Sequence, residues 1–100
     1  IDPERIVVDP GFGFGKRSGD NVAILAGIGR IANACGRPVL AGLSRKTFIG
    51  DLTGKPVDER LAGSIAGALI SVINGASIVR VQDVAETVDA IAVWKSVKGE

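Results

Sequence analysis

The sequence predicts an α/β chain with parallel strands, because short apolar runs alternate along it with segments of helical period. The apolar runs are residues 5–9, 38–43 and 77–82 (RIVVD, PVLAGL and SIVRVQ), and each contains β-branched residues. Runs of this kind are typical of parallel strands that are buried on both faces. A helix-period segment follows each run, so the predicted order is β-α-β-α-β-α, which defines the fold class.

The three predicted helices each begin near an aspartate, at Asp20, Asp58 and Asp83. A carboxylate at this place can cap free N–H groups and is stabilised by the helix dipole. Gly36 and Gly75 are expected to close the first two helices. The apolar stripes are Ile24, Ile28, Ile31 and Cys35 in the first helix, Leu61, Ile65, Ala68, Leu69 and Val72 in the second, and Val84, Val88, Ile91 and Trp94 in the third.

Composition indicates one small globular domain with no nucleic-acid or membrane partner. The chain has 100 residues, of which 46% are hydrophobic and 23% charged, and its formal net charge is +1. Without a basic run, little in it attracts nucleic acid or an anionic membrane surface. No apolar run approaches the roughly 18 residues of a membrane span, and we recognise no secretory leader. The single Cys35 is expected to be a reduced, buried core thiol, which favours a cytoplasmic location.

Charged and polar residues follow the predicted strands at the points where each strand ends. Asp9 ends the first, Ser44-Arg45-Lys46 follows the second, and the third ends at Arg80 to Asp83. Ligands of parallel α/β sheets bind at the carboxyl ends of the strands. The connection over residues 44–59 is too long for a plain βα turn, so we expect it to carry function.

Arg80 is the member of this set that most needs a partner. In an extended strand it shares a face with Gln82, and a guanidinium inside an apolar strand is costly unless an anion, a carboxylate or a planar ligand receives it. One interpretation is a buried ion pair between Asp9 and Arg80, with Lys46 as a solvated loop residue. The other is that all four of these side chains face one ligand cavity. Charges at three successive strand ends favour the cavity.

The glycine-rich stretch DPGFGFGK after the first predicted strand is not a phosphate loop. The P-loop pattern G-x-x-x-x-G-K-[ST] requires one more residue between its glycines than Gly11 and Gly15 have between them. The dinucleotide pattern G-x-G-x-x-G requires a glycine at its last position, where this sequence has Lys16. Two interpretations remain. The stretch is either a turn-forming loop or a loop whose glycines let Phe12 and Phe14 border a pocket.

Three segments together resemble the dihydropteroate synthase family: DPGFGFGK, GLSRKTFIG and RVQDV, each after a predicted strand. The similar segments occur in the family's order and spacing, and the helix sequence ERLAGSIAGALISVINGASIVRV is also similar. The resemblance implies three consecutive β/α units of a TIM (β/α)8 barrel, with residues 1–100 as the C-terminal portion of a pterin-binding barrel domain. It implies an enzyme that condenses 6-hydroxymethyl-7,8-dihydropterin pyrophosphate with p-aminobenzoate in folate synthesis, and that is a sulfonamide target.

By the same resemblance, three residues serve the pterin substrate. Asp9 accepts hydrogen bonds from its amino-pyrimidine edge. Lys46 hydrogen-bonds the pterin and stands between the two substrate sites, and Arg80 lies against the pterin face and meets the pyrophosphate. Lys46 and Arg80 are the catalytic candidates. Gln82 stands where the family usually has His, and an amide can donate a hydrogen bond to the leaving group but cannot become a cation.

The resemblance assigns four residues to the p-aminobenzoate side. Thr47 holds the carboxylate of that substrate through its hydroxyl, and Phe14 lines the pocket. Gly42 lets the backbone approach the ligand, and Ser44 lies near the same pocket. No metal ligand is expected in this chain, because the Mg²⁺ that the family uses is placed by the resemblance in the part of the barrel that precedes these residues.

Several alternatives stay open at this point. A full barrel takes roughly 250 residues, so we expect the open strand edges to be covered by the remainder of the barrel or by a second copy in a homodimer. A second alternative is a non-catalytic pterin- or anion-binding module, or a portion of the enzyme that is inactive by itself. The short length of the chain and the presence of Gln82 are both compatible with it. A pterin-binding methyltransferase domain is disfavoured by the SRK and RVxD residues. The last alternative is an α/β chain with no ligand.

Overall fold

The computed structural model of the protein describes residues 18–42 and 47–99. The helices of this part are α1 (Ser18–Ala26), α2 (Ile28–Cys35), α3 (Thr47–Thr53), α4 (Leu61–Ile73) and α5 (Val84–Lys98), and the strands are β1 (Leu40–Ala41) and β2 (Ile78–Val79). A short 3₁₀ turn, Val57–Glu59, precedes α4. The first predicted strand and the glycine-rich loop after it lie outside the described residues.

The two strands pair in parallel, as the alternation of strands and helices predicts. Leu40 is in register with Ile78, and Ala41 with Val79. The amide of Arg80 extends the ladder by donating a hydrogen bond of 2.9 Å to the carbonyl of Ala41. Both strands lie inside the predicted apolar runs but are shorter than those runs.

The first predicted helix is interrupted at Gly27, where α1 ends and α2 begins. Gly27 has φ −98° and ψ 9°, outside the helical region. Glycine in a helix interior costs about 1 kcal/mol relative to alanine, so a break here is inexpensive. The guanidinium of Arg30 uses the space that a side chain would fill, since a Cβ built on Gly27 would lie 3.2 Å from its Nη2. Gly36, with φ 62°, ends α2 as predicted.

The connection over residues 44–59 contains a short helix and a 3₁₀ turn. Helix α3 occupies Thr47–Thr53, and Asp58 lies in the 3₁₀ turn that leads to α4. Helix α3 was not predicted from the sequence, because it is only seven residues long and has Gly50 in its middle. Helix α4 begins at Leu61, shortly after Asp58 and at the first residue of the predicted apolar stripe.

Helix α5 begins directly after Asp83, as predicted, but its start is stabilised differently. The side chain of Asp83 makes no capping hydrogen bond. Its carbonyl oxygen instead accepts bonds from the amide of Thr87, at 3.0 Å, and from the Thr87 hydroxyl, at 2.8 Å. Thr87 is buried. The first turn of α5 is therefore held by the main-chain carbonyl of Asp83 and a buried threonine, rather than by the carboxylate of Asp83.

The core lies on one face of the sheet. Its buried hydrophobic members are Ile28, Val39, Ala41, Ile49 and Ala76, and Ile24, Leu25, Ile31, Ala32 and Val79 pack against them. On the opposite face Ile78 is 44% exposed. The prediction of strands buried on both faces is therefore wrong for β2, because the helices that supply the core pack against the other side.

Cys35 is exposed, so the prediction of a buried core thiol is also wrong. It is the last residue of α2, and the chain turns away at Gly36 before the helix stripe reaches further core. In the part of the chain that the structure describes, no helix has both the length and the apolar character needed to cross a bilayer.

Candidate functional site

Gly42 and Arg80 lie together at the carboxyl ends of the paired strands. Gly42 directly follows β1, and Arg80 directly follows β2. Because the strands are parallel and in register, both residues stand at the same rim of the sheet. Asp9, Phe14, Ser44 and Lys46 lie outside the described residues. Thr47 is described only as the first residue of α3.

The guanidinium of Arg80 lies directly against the backbone of Gly42. A Cβ built on Gly42 would stand 2.6 Å from Nη2, 2.9 Å from Cζ and 3.0 Å from Nε of Arg80. Ordinary contacts between such atoms begin near 3.5 Å, so even a methyl group would displace the guanidinium. The absence of a side chain on Gly42 is what lets Arg80 reach across from the end of one strand to the end of its neighbour.

Arg80 is exposed, which corrects the argument that it must be an expensively buried charge. Its backbone is fixed by the hydrogen bond to Ala41, and its guanidinium contacts Gly42. An exposed guanidinium needs no partner to offset desolvation. A guanidinium carries five N–H donors and a flat surface that suit an anion or a planar ring.

Gln82 follows two residues later, in a bend between β2 and α5. Strand β2 ends at Val79, so strict alternation of faces does not extend from Arg80 to Gln82. Gln82 is exposed near the same end of the sheet and makes an interaction within the protein. An amide at this place offers a neutral hydrogen-bond donor near the end of the sheet.

The described residues do not fit a metal site. Within residues 18–42 and 47–99, no group of three or more His, Cys, Asp or Glu side chains stands together as a ligand set. A hard cation such as Mg²⁺ takes oxygen ligands, chiefly carboxylates. No chemical step is therefore assigned to a metal held by this part of the chain.

The sequence did not reveal a second contact between an arginine and a glycine close to the site. The guanidinium of Arg60 lies against Gly50, in the middle of α3. The only sequence signal was a glycine inside a short apolar segment, Phe48 to Leu52. Such a glycine often marks close approach of another group, but the pattern does not say which group approaches.

The parallel strands and the helices around them define a β/α protein, a class in which ligands bind at the carboxyl ends of the strands. Residues 1–82 match the family of pterin binding enzymes. The chain belongs to this pterin-binding enzyme family. Among its relatives are the dihydropteroate synthases of Haemophilus influenzae, 50% identical over 96 residues, and of Neisseria meningitidis serogroup B, 48% identical over 99 residues. Each alignment covers 96% of this chain, and it spans 34% and 35% of the respective relative.

Solved structures show the same relationship in three dimensions. The dihydropteroate synthase of Xanthomonas albilineans in complex with 7,8-dihydropteroate superposes with a TM-score of 0.95 at 51% identity, covering 100% of this chain and 38% of that one. The same enzyme with 4-aminobenzoic acid gives 0.91 at 52% identity, covering 96% and 35%. This likeness confirms the predicted fold class, with the parallel strands and helices of a β/α barrel. The chain spans about a third of the length of these relatives.

Proposed function

We propose that residues 1–100 form the C-terminal portion of a dihydropteroate synthase, the last three β/α units of its barrel. The observation that carries this proposal is the guanidinium of Arg80, held across two adjacent strand ends on Gly42. The similarity to synthases solved with dihydropteroate and with 4-aminobenzoic acid supports the choice of substrates. The enzyme condenses 6-hydroxymethyl-7,8-dihydropterin pyrophosphate with p-aminobenzoate, giving 7,8-dihydropteroate and pyrophosphate.

The reaction breaks one C–O bond and forms one C–N bond. The bond between the pterin methylene carbon and the pyrophosphate oxygen breaks, and its electron pair leaves with the pyrophosphate. The amine nitrogen of p-aminobenzoate then donates its lone pair to that carbon and loses a proton to solvent. The charge that develops on the departing oxygen is what the protein must stabilise, and Arg80 supplies a permanent cation there.

The other pterin-side residues orient the substrate. Asp9 accepts hydrogen bonds from the amino-pyrimidine edge, since a carboxylate is a strong acceptor for paired N–H donors. Lys46 binds the pterin at the boundary with the second substrate. Gln82 donates a neutral hydrogen bond to the pyrophosphate beside Arg80.

On the p-aminobenzoate side, Thr47 binds the carboxylate through its hydroxyl, and Phe14 and Ser44 line the pocket. Gly42 contributes at the boundary between the two sites. Its contact with Arg80 suggests that it serves the guanidinium rather than direct approach of its backbone to the ligand.

The second candidate function is a pterin- or anion-binding module without catalysis. Gln82 favours it, because a neutral donor stabilises a departing anion less than a cation does. In both cases the ligands are small molecules, the remainder of the barrel or a second copy covers the strand edges, and the location is the cytoplasm, where an exposed thiol such as Cys35 stays reduced.

The test uses the longest native polypeptide that contains these residues, with Arg80→Ala and the control Arg30→Ala. Arg30 also lies against a glycine, Gly27, but at the junction of α1 and α2 rather than at the rim. We expect the unaltered protein to form dihydropteroate and pyrophosphate in equal amounts. Arg80→Ala should lower kcat/KM for the pterin pyrophosphate by about 100-fold, whereas Arg30→Ala should leave it nearly unchanged.

Two other results would decide differently. Pterin binding by calorimetry without any dihydropteroate would select the binding module. If the protein neither binds pterin nor forms product, both functions are contradicted. Equal losses of kcat/KM in the two arginine variants would contradict the role of Arg80.

A further inference from the structure

Arg60 connects α4 to the middle of α3. It stands directly before α4 as its N-cap residue, and its side chain extends back to Gly50. A Cβ built on Gly50 would lie 2.6 Å from Cζ and 2.7 Å from Nε of Arg60, with Nη2 closer still. The guanidinium therefore occupies the space of the missing side chain, as Arg80 does on Gly42.

Hydrogen bonds fix Arg60 at both ends of the residue. Its Nε donates a bond of 3.0 Å to the carbonyl of Lys55, in the turn that leaves α3. Its own carbonyl accepts a bond of 2.9 Å from the amide of Ser64, in the first turn of α4. One residue thus joins α3, the connecting turn and α4.

A second contact between α3 and α4 is apolar and is made by Gly63. A Cβ built on Gly63 of α4 would stand 2.7 Å from Cγ2 of Ile49 and 3.2 Å from Cγ2 of Thr53. Ile49 is only 4% exposed and belongs to the core. This apolar contact sets the distance between α3 and α4, and α3 also packs against α1. The contact of Arg60 with Gly50 is a further point of contact, which restrains the direction of α3 from the start of α4.

The direction of α3 determines where its first residue lies. Thr47 begins this helix. We propose that Arg60 is a positioning residue, which holds α3 so that its first residue, Thr47, is placed for the second substrate, p-aminobenzoate. This inference rests on the proposed function. Arg60 acts through α3 and touches no substrate.

Arginine suits this task better than lysine. Its planar group can lie flat on a glycine backbone while Nε keeps a directed hydrogen bond to a carbonyl, and it stays charged at every working pH. An ammonium group can reach the Lys55 carbonyl but cannot fill the flat space over Gly50. Arg60→Lys is therefore an informative variant that preserves charge.

The first measurement follows hydrogen exchange of the α3 amides in the longest native polypeptide that contains these residues. Arg60→Gln and Gly50→Ala should each speed exchange in α3 by about tenfold or more, and leave α5 unchanged. For Gly50→Ala the direction of the change in exchange rate is informative, because alanine is a better helix former than glycine and by itself would slow exchange. Faster exchange in this variant would therefore come from the displaced guanidinium of Arg60. Arg37→Gln is the matched control, since Arg37 also donates a hydrogen bond to one backbone carbonyl, that of Gly36, at the end of α2 rather than beside α3 in the chain.

The second measurement is steady-state kinetics with both substrates. Arg60→Gln and Gly50→Ala should raise KM for p-aminobenzoate by about five- to tenfold, with KM for the pterin pyrophosphate little changed. Arg60→Lys should fall between the unaltered protein and Arg60→Gln. A role in stability alone would reduce the amount of active enzyme, and so the apparent kcat, without moving either KM.

Each outcome has a separate meaning. An active parent protein whose Arg60→Gln and Arg60→Lys variants keep the KM for p-aminobenzoate overturns this inference and leaves the proposed function intact. Slower exchange in Gly50→Ala overturns it as well. A parent protein that forms no dihydropteroate contradicts the proposed function itself, and the role of Arg60 toward p-aminobenzoate with it.

Discussion

The guanidinium of Arg80 rests on the backbone of Gly42, so that one strand end supplies a cation and its neighbour supplies the surface that holds it. The main chain of Arg80 is also held to β1, the strand that Gly42 follows, because the amide of Arg80 donates a hydrogen bond to the carbonyl of Ala41. A long, exposed side chain would otherwise populate several rotamers and lose entropy on binding a ligand. Contact with a flat glycine backbone reduces that loss and directs the group across the rim.

Replacing Gly42 by alanine should therefore act through Arg80. The added Cβ cannot coexist with a guanidinium 2.6 Å away, so we expect kcat/KM for the pterin pyrophosphate to fall about tenfold or more. In an Arg80→Ala background the same change should cost little further, because the group it displaces is already gone. The measurement is a double-mutant cycle on kcat/KM, and strictly additive losses would contradict the coupling.

The hydrophobic core gives a prediction that is independent of catalysis. Ile28 is fully buried in the cluster on the sheet, whereas Val97 near the end of α5 is 83% exposed. Ile28→Ala should lower the free energy of unfolding by about 2–5 kcal/mol through lost burial and a cavity. Val97→Ala should change it by less than about 0.5 kcal/mol. Urea denaturation measures both, and a similar loss in the two variants would place the core elsewhere.

The alternation of β1, α4, β2 and α5 was predictable because it depends on local pattern. Apolar runs marked β1 and β2, and Gly36 marked the end of α2, because its left-handed φ of 62° is a conformation that favours glycine. The break at Gly27 was not predictable, since glycine also occurs inside helices, as at Gly63 and Gly67 of α4. Whether such a residue interrupts a helix depends on what packs against it.

The site could be predicted only as far as chain direction determines it. Parallel strands bring residues after successive strands to one rim, so Gly42 and Arg80 were expected there and are found there. Their direct contact was missed, because spacing along the chain does not reveal which side chain fills the space above a glycine. Burial was misjudged at Cys35 and Arg80, since helix stripes and strand alternation assume that every element is covered on its apolar face.

Gln82 provides the sharpest test of the leaving-group chemistry, because the chain contains no histidine. Gln82→His introduces a side chain that becomes a cation below its usual pKa of about 6.5. A charge-assisted bond to pyrophosphate exceeds a neutral one by roughly 1 kcal/mol, so kcat should rise about fivefold at pH 6. The gain should shrink as pH rises through this pKa toward 8, where the imidazole is neutral.

The measurement is a pH profile of kcat for the unaltered protein, Gln82→His and Gln82→Asn. The asparagine variant keeps a neutral amide donor on a shorter side chain, so its profile should have the shape of the unaltered one. Only the histidine variant should gain activity on the acid side. A histidine profile parallel to that of the unaltered protein across pH 6 to 8 would show that position 82 does not contact the developing charge, and stabilisation of the leaving group would then rest on Arg80 without help from its neighbour.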